Sequence, residues 1–219
     1  MKDLIVRASE SYKMMTKSRT KSDPLGETTK TWLKEKAIQQ VLGYRPDISN
    51  KYLDKGIEME GVNSEDTGTS MELLHTVYFE KYEKNKDRVT KDGFSGECDI
   101  LHKGVVRDIK SSWSIDTFPF FEEDAEKLIK KSGYDWQVRV YMMLYNVDAA
   151  YIDYCLVSTP IDLIGYEDEE KHIVDHIEPS KRVTSIMIKR DEKIDKEIKE
   201  KYALCNEQFK KYVEQLKNK

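Results

Sequence analysis

Along the first part of the chain, apolar residues recur at helical spacing. From Thr28 to Gly43, Trp32, Leu33, Ala37, Val41 and Leu42 share one broad face, with a threonine cap before them and Gly43 as the stop. A second helical region starts near Asn50, loosens around Gly61 and Gly68, and resumes over Met71–Phe79 with apolar positions at i, i+3, i+4 and i+7. Near Arg88 the period changes. Glu97–Leu101 and Val105–Lys110 are short strand-like runs joined by His102-Lys103-Gly104, which reads as a hairpin turn. Further on, Trp136–Tyr145 is amphipathic at helical spacing, Ala150–Val157 reads as a strand closed by Ser-Thr-Pro, and Ser185–Lys189 as another short strand. A long charged helix runs from about Glu192 to Leu216. No internal repeat or low-complexity linker divides the chain. The expectation is one α/β (α+β) domain over residues 1–219, with a small mixed central sheet flanked by helices.

Composition narrows the class. Charged residues make up 36% and apolar residues 38%, with 13 Tyr, 6 Phe and 3 Trp available for a core. No apolar run approaches the roughly 18 residues needed to cross a bilayer, so no membrane association is expected. The N-terminal Met1–Arg7 is too charged for a secretory signal, which gives a cytoplasmic expectation. Cys98, Cys155 and Cys205 form no CxxC pair and read as buried, inert thiols. The net charge of −4 neither favours nor excludes a nucleic-acid partner, because the local field in a groove decides that.

The chemistry-bearing segment is Gly96-Glu97-Cys98-Asp99, followed after eight intervening residues by Asp108-Ile109-Lys110. On adjacent strands of one hairpin, Asp99 and Asp108 can converge. Residues i and i+2 of a strand share a face, so Asp108 and Lys110 project together while Ile109 turns into the core. Two carboxylates placed side by side repel and raise each other's pKa. A divalent cation resolves the conflict, and Mg²⁺ or Mn²⁺ prefers carboxylate oxygen and water. Lys110 would then orient or help deprotonate an attacking water and balance charge on a phosphate, which points to phosphodiester hydrolysis. The bare string is common in a chain so rich in Asp and Lys, and a solvated hairpin with a surface ion pair is the plainer alternative.

Gly96–Ile100 and Val106–Trp113 resemble motifs II and III of the PD-(D/E)xK nuclease superfamily, in particular the phage recombination exonucleases related to lambda exonuclease (YqaJ-like). The likeness extends to Tyr134-Asp135-Trp136-Gln137-Val138-Arg139-Val140-Tyr141, to Val183–Lys193 leading into the last helix, and to Arg7-Ala8-Ser9-Glu10-Ser11. The resemblance implies a restriction-endonuclease-like core and digestion of double-stranded DNA ends, 5′→3′, with two Mg²⁺ or Mn²⁺ ions. It also implies a ring-shaped homo-oligomer and a single-strand annealing partner. By residue, it assigns Asp99, Asp108, Glu60 and the Ile109 carbonyl to the metal, Lys110 to the water, and Gln137 to the water or scissile strand. Arg7 and Ser9 go to the terminal 5′ phosphate, and Tyr141, sharing a helix face with Gln137, to the DNA-facing side. A glutamate four residues after a glycine supports the metal in the family; Glu60 is the first choice and Glu72 the reserve, Glu65 sharing the same spacing.

Other readings compete. A restriction- or repair-type endonuclease keeps the fold and changes the substrate. A nuclease-like adaptor without activity keeps only DNA binding, against an intact Asp/Asp/Lys set. His172 and His176, four apart in an acidic stretch, read as a solvated segment rather than a zinc clasp, and His75 as a structural helix histidine. The Lys-rich terminal helix reads as a solvated face rather than a DNA clamp, with Lys210 and Lys211 as candidates to sit near a partner subunit.

Overall fold

The computed structural model describes residues 2–20, 22–44, 50–60 and 68–219. In chain order the elements are β1 (Val6–Arg7), α1 (Ser11–Met14), α2 (Glu27–Leu42), α3 (Lys51–Glu58), α4 (Ser70–Tyr78), β2 (Val89–Lys91), β3 (Phe94–Gly96), β4 (Ile100–His102) and β5 (Val105–Ser111). They continue with α5 (Glu122–Ser132), α6 (Tyr134–Tyr145), β6 (Ala149–Cys155), α7 (Ile161–Ile164), β7 (Val183–Lys189) and α8 (Glu192–Lys217).

The central sheet has the order β4-β5-β6-β7. β4 and β5 form the expected hairpin, with Ile100 opposite Arg107 and His102 opposite Val105. The turn works because Lys103 and Gly104 both take positive φ, 49° and 76°, the two-residue geometry whose twist matches the strands. β6 lies parallel to β5 with Asp108 opposite Ile152, and β7 closes the sheet antiparallel to β6. Two parallel strands need a long connection, here α5 and α6.

The fold departs from the sequence reading in several places, among them β4, which starts only at Ile100 and leaves Glu97–Asp99 outside the strand. A second, three-stranded sheet of order β1-β3-β2 stands beside the first, where one small sheet was expected. Its strands are two or three residues long, too short to show any period. α5 also escaped the reading, although Ala125 and Ile129 are buried at i, i+4. α2 begins at a Gly26 cap without a side-chain hydrogen bond, not at a threonine cap, and Leu42 is exposed.

α6 is the pivot. It packs on β6, β3 and the short 3₁₀ turn Ala8–Glu10. A Cβ on Gly96 would fall 2.6 Å from the Tyr141 ring, so glycine at the end of β3 is what lets α6 approach. The main core gathers Leu33, Phe94, Val106, Val138, Met142 and Ile152 with Phe209 of α8. A second cluster, with Met59, Leu74, Ile100, Ile109 and Val157, lies under α3 and α4. Ile109 therefore turns inward, as its place between Asp108 and Lys110 requires. All three cysteines are buried and free, and burial pushes the Cys98 thiol up to about 12 and Cys205 to about 11.

Candidate active site

A cleft of about 620 Å³ opens where α3, β5, α5 and α6 meet, lined among others by Glu60, Asp99, Asp108, Lys110, Tyr134 and Gln137. Asp99 stands immediately before β4, and the β4–β5 register brings it beside Asp108. Its Oδ2 accepts the Ile109 backbone N–H at 2.6 Å. Burial alone would raise the Asp99 pKa; the hydrogen bond from Glu60, the Lys84 and Lys110 charges and the Ile109 N–H together outweigh it and hold Asp99 below its ordinary value.

Asp108 is 1% exposed. Its Oδ1 accepts from the Gln137 amide at 3.1 Å, and the same amide nitrogen reaches the Tyr141 hydroxyl at 3.1 Å. Its Oδ2 has the Lys110 ammonium at 2.7 Å as an ion pair but receives no aligned hydrogen bond. Burial pushes Asp108 up to about 6, against the pull of Lys110 and with the repulsion of Asp99. Lys110 also lies over the Tyr134 ring, 4.5 Å from its centroid. Burial works against its charge, but Asp108 and Asp99 win and raise its pKa, so Lys110 stays an ammonium.

Glu60 follows the end of α3 by two residues. Asn50 caps α3, accepting from the Tyr52 and Leu53 N–H groups, and Lys55 anchors it. The Lys55 ammonium is 1% exposed and donates to the Ser112, Trp113 and Val157 carbonyls at 2.5, 3.1 and 2.9 Å and to Thr159 Oγ1 at 2.7 Å. Burial draws its pKa down to about 7, yet every partner is an acceptor, an arrangement suited to the charged form. Burial and a hydrogen bond shared with Asp99 raise Glu60 to about 8. Lys84 pairs with Glu60 and reaches Asp99 at 3.3 Å.

The site thus assembles Glu60, Asp99, Asp108, Ile109, Lys110 and Gln137 around one cleft. Glu72 is exposed on α4 and accepts the Gly68 N–H, away from the cleft. Glu65 lies outside the described residues. Tyr141 is 5% exposed, so it supports Gln137 from the core instead of facing a ligand. Arg7 and Ser9 are exposed, at the end of β1 and in the 3₁₀ turn that packs on α6, and neither lines the cleft.

The histidine readings need correction in one place. His172 is buried, not solvated: its ring nitrogens meet the Trp113 carbonyl at 3.1 Å and Glu167 at 3.2 Å. His176 is exposed, and the stretch holds a 3₁₀ turn in place of the α-helix that would align the two. His75 contacts the Tyr82 carbonyl at 2.9 Å. Lys55 and Lys84 were missed by sequence reasoning; both look like ordinary surface lysines, and Lys55 alone offered a clue, one turn before the Glu60 segment.

Among the described residues no group of three His, Cys, Asp or Glu side chains is arranged to hold a metal by itself. The donor chemistry still fits a hard cation. The buried Asp108 Oδ2 has the Lys110 ammonium as its one partner, and the nearness of Asp99 helps burial to raise the Glu60 pKa, a conflict a cation would relieve. A sparse protein ligand set with water in the remaining positions is what Mg²⁺ favours.

The fold has relatives among solved structures. A phage-related exonuclease from Haemophilus somnus 129PT is 31% identical, with 98% of this chain and 97% of that chain aligned at a TM-score of 0.89. The chain belongs to this family, the phage-related exonucleases of the PD-(D/E)xK, lambda-exonuclease-like type. An alkaline exonuclease (LHK-Exo) from Laribacter hongkongensis shares the fold at 16% identity and a TM-score of 0.63, over 98% of this chain and 92% of that one. The same enzyme in complex with dAMP aligns equally well, at 17% identity and 0.63. No family model matches the chain, and no curated protein does. None of the helices, among the described residues, is long and apolar enough to cross a membrane.

Proposed function

We propose that this exonuclease-family chain is a metal-dependent deoxyribonuclease that digests duplex DNA from its ends, in the 5′→3′ sense, leaving 3′ single strands for a single-strand annealing partner. The observation that carries the reading is the convergence of Asp99, Asp108 and Glu60 on one cleft, with the Lys110 ammonium 2.7 Å from the buried Asp108 Oδ2.

In this reading Asp99, Asp108, the Ile109 carbonyl and Glu60 would hold Mg²⁺ or Mn²⁺, two ions in all. The ions supply a more acidic water and neutralise charge on the phosphate. Lys110, kept protonated by its two carboxylate neighbours, donates a hydrogen bond to the attacking water or to a phosphate oxygen and offsets the charge that grows there. It is not the base. Gln137 holds Asp108 in its rotamer and is itself held by Tyr141. Arg7 and Ser9 would meet the terminal 5′ phosphate. The working form is a ring-shaped homo-oligomer in the cytoplasm.

Digestion of linear and covalently closed duplex DNA, labelled at the 5′ or the 3′ end, tests this with Mg²⁺ or Mn²⁺ added. Loss of the 5′ label from linear DNA with closed circles untouched is expected. Cutting of closed circles replaces the reading with an endonuclease; no digestion with either ion leaves a DNA-binding adaptor.

A further inference from the structure

The three acids of the cleft have two lysines among them, and the lysines sit differently. Lys110 lines the cleft with Asp108; Lys84 is absent from its lining, yet its ammonium pairs with Glu60 and Asp99. The Lys84 side chain is 14% exposed, and its backbone is pinned to the first residue of β4 by a bridge to Ile100. Its ammonium therefore sits against the carboxylates without lining the cleft. Glu60 and Asp99 come from segments that share no secondary structure: one trails α3, the other precedes β4. Lys84 pairs with both and so ties the two segments together.

We propose that Lys84 is a built-in counter-cation of the catalytic carboxylates: it clamps Glu60 to Asp99 and lowers the affinity for a divalent ion entering the cleft. Lys84 is a positioning residue and touches no substrate. The electrostatics follow from the charges present. With all three acids ionised, Glu60, Asp99 and Asp108 contribute −3 and Lys84 and Lys110 contribute +2, so the cluster carries −1. Without Lys84 it carries −2, a deeper well for a dication but one whose carboxylates repel each other when no ion is bound. The clamp exchanges binding strength for a preassembled site.

The inference rests on the metal-site reading above, and the experiment separates the two. Mn²⁺ binding is titrated by the electron paramagnetic resonance of the free ion, and melting temperature is followed with and without Mn²⁺, for wild type, Lys84→Met and Lys84→Arg. Lys84→Met is expected to bind Mn²⁺ about tenfold more tightly, since a unit charge a few ångströms away has been removed. It should melt lower than wild type without metal and regain most of the loss with Mn²⁺. Lys84→Arg, which keeps the charge, should stay near wild type in affinity. If Lys84→Met cannot be isolated, Lys84→Gln keeps amide donors without the charge and carries the same expectation. Unchanged or weaker Mn²⁺ binding in the uncharged variants, or a melting loss the same with and without Mn²⁺, overturns the proposal and leaves a plain structural ion pair. A wild-type protein that binds no Mn²⁺ sinks the metal-site reading itself.

Discussion

The two faces of β5 carry the same kind of chemistry to opposite ends. On one face Arg107 donates through Nε and Nη2 to Asp153 at 2.7 and 2.8 Å, Ser185 donates to the same carboxylate, and the guanidinium lies over Tyr78, Tyr82 and Tyr151 at 4.7, 5.2 and 4.5 Å. On the other face, one residue along, Asp108 is as deeply buried but keeps an oxygen without an aligned donor, next to a second carboxylate. Both faces bury charge. The Arg107 face pairs it fully, so that strand, helix and β6 are locked together. The Asp108 face leaves an excess of negative charge aimed into a cleft, an arrangement that a closed structural network would not leave. A completed buried ion pair holds a fold, whereas an incomplete one is free to hold a ligand.

The sharpest way to break the comparison is to remove one carboxylate from each face. Asp108→Asn should lower metal-dependent digestion by on the order of 10³-fold, about 4 kcal/mol of transition-state stabilisation, in single-turnover assays. Its melting temperature without metal should hold or rise, because a poorly paired buried charge has gone. A fall in stability comparable to that of an Asp153 variant would make the two faces alike. Asp153→Ala should do the reverse. It strands Arg107 among aromatic rings, costs about 3–5 kcal/mol, and lowers the melting temperature by on the order of 10 °C. An unchanged melting curve would show that the Arg107 network is dispensable.

Acidity sharpens the same contrast. Burial raises Asp108 to about 6 and Glu60 to about 8, so both keep their protons longer in the folded chain than in the unfolded one. Between about pH 4 and 8 the folded protein thus binds more protons, and their contribution to stability is lost as pH rises through those two values. Without divalent ions, melting temperature should fall by several degrees from pH 5 to pH 8, at about 2–4 °C per kcal/mol for a chain of this size. Mg²⁺ or Mn²⁺ should flatten the slope by binding the ionised acids, and Asp108→Asn should remove its lower part. A slope that persists in saturating metal would place its origin elsewhere. The smallest effect is expected at Gln137→Ala, which frees the Asp108 carboxylate to rotate. Turnover should drop about 10- to 100-fold, in the range seen when a residue supporting a metal ligand is lost, with the fold intact by circular dichroism. A change in KM alone, with kcat untouched, would mean that Gln137 binds substrate and does not hold Asp108.

Much of the site was legible before any coordinates. Asp99, Asp108 and Lys110 lie on one hairpin, and a two-residue turn with a period of two decides locally which side chains face together. Gln137 and Tyr141 share a helix face for the same local reason. The plain reading of the pair, Tyr141 in the core and Gln137 on the surface, holds for Tyr141. Packing buries Gln137 as well and joins it to Asp108 and Tyr141. Glu60, Glu65 and Glu72 were equivalent by spacing. The sequence ranked Glu60 first, but its place at the cleft depends on α3 docking through Lys55 onto the segment after β5, a contact across more than fifty residues of chain. The short strands of the second sheet carried too few residues for any period to register.

The sequence by itself determined the hairpin, the two aspartates and the lysine, because those relations depend on neighbours a few residues apart. Tertiary structure brought Glu60 beside them and decided which face of β5 is sealed. It also decided that Lys55 and Lys84 work from the interior. The reason is physical: the role of a charge is set by what surrounds it after burial, and burial is a property of the packed chain.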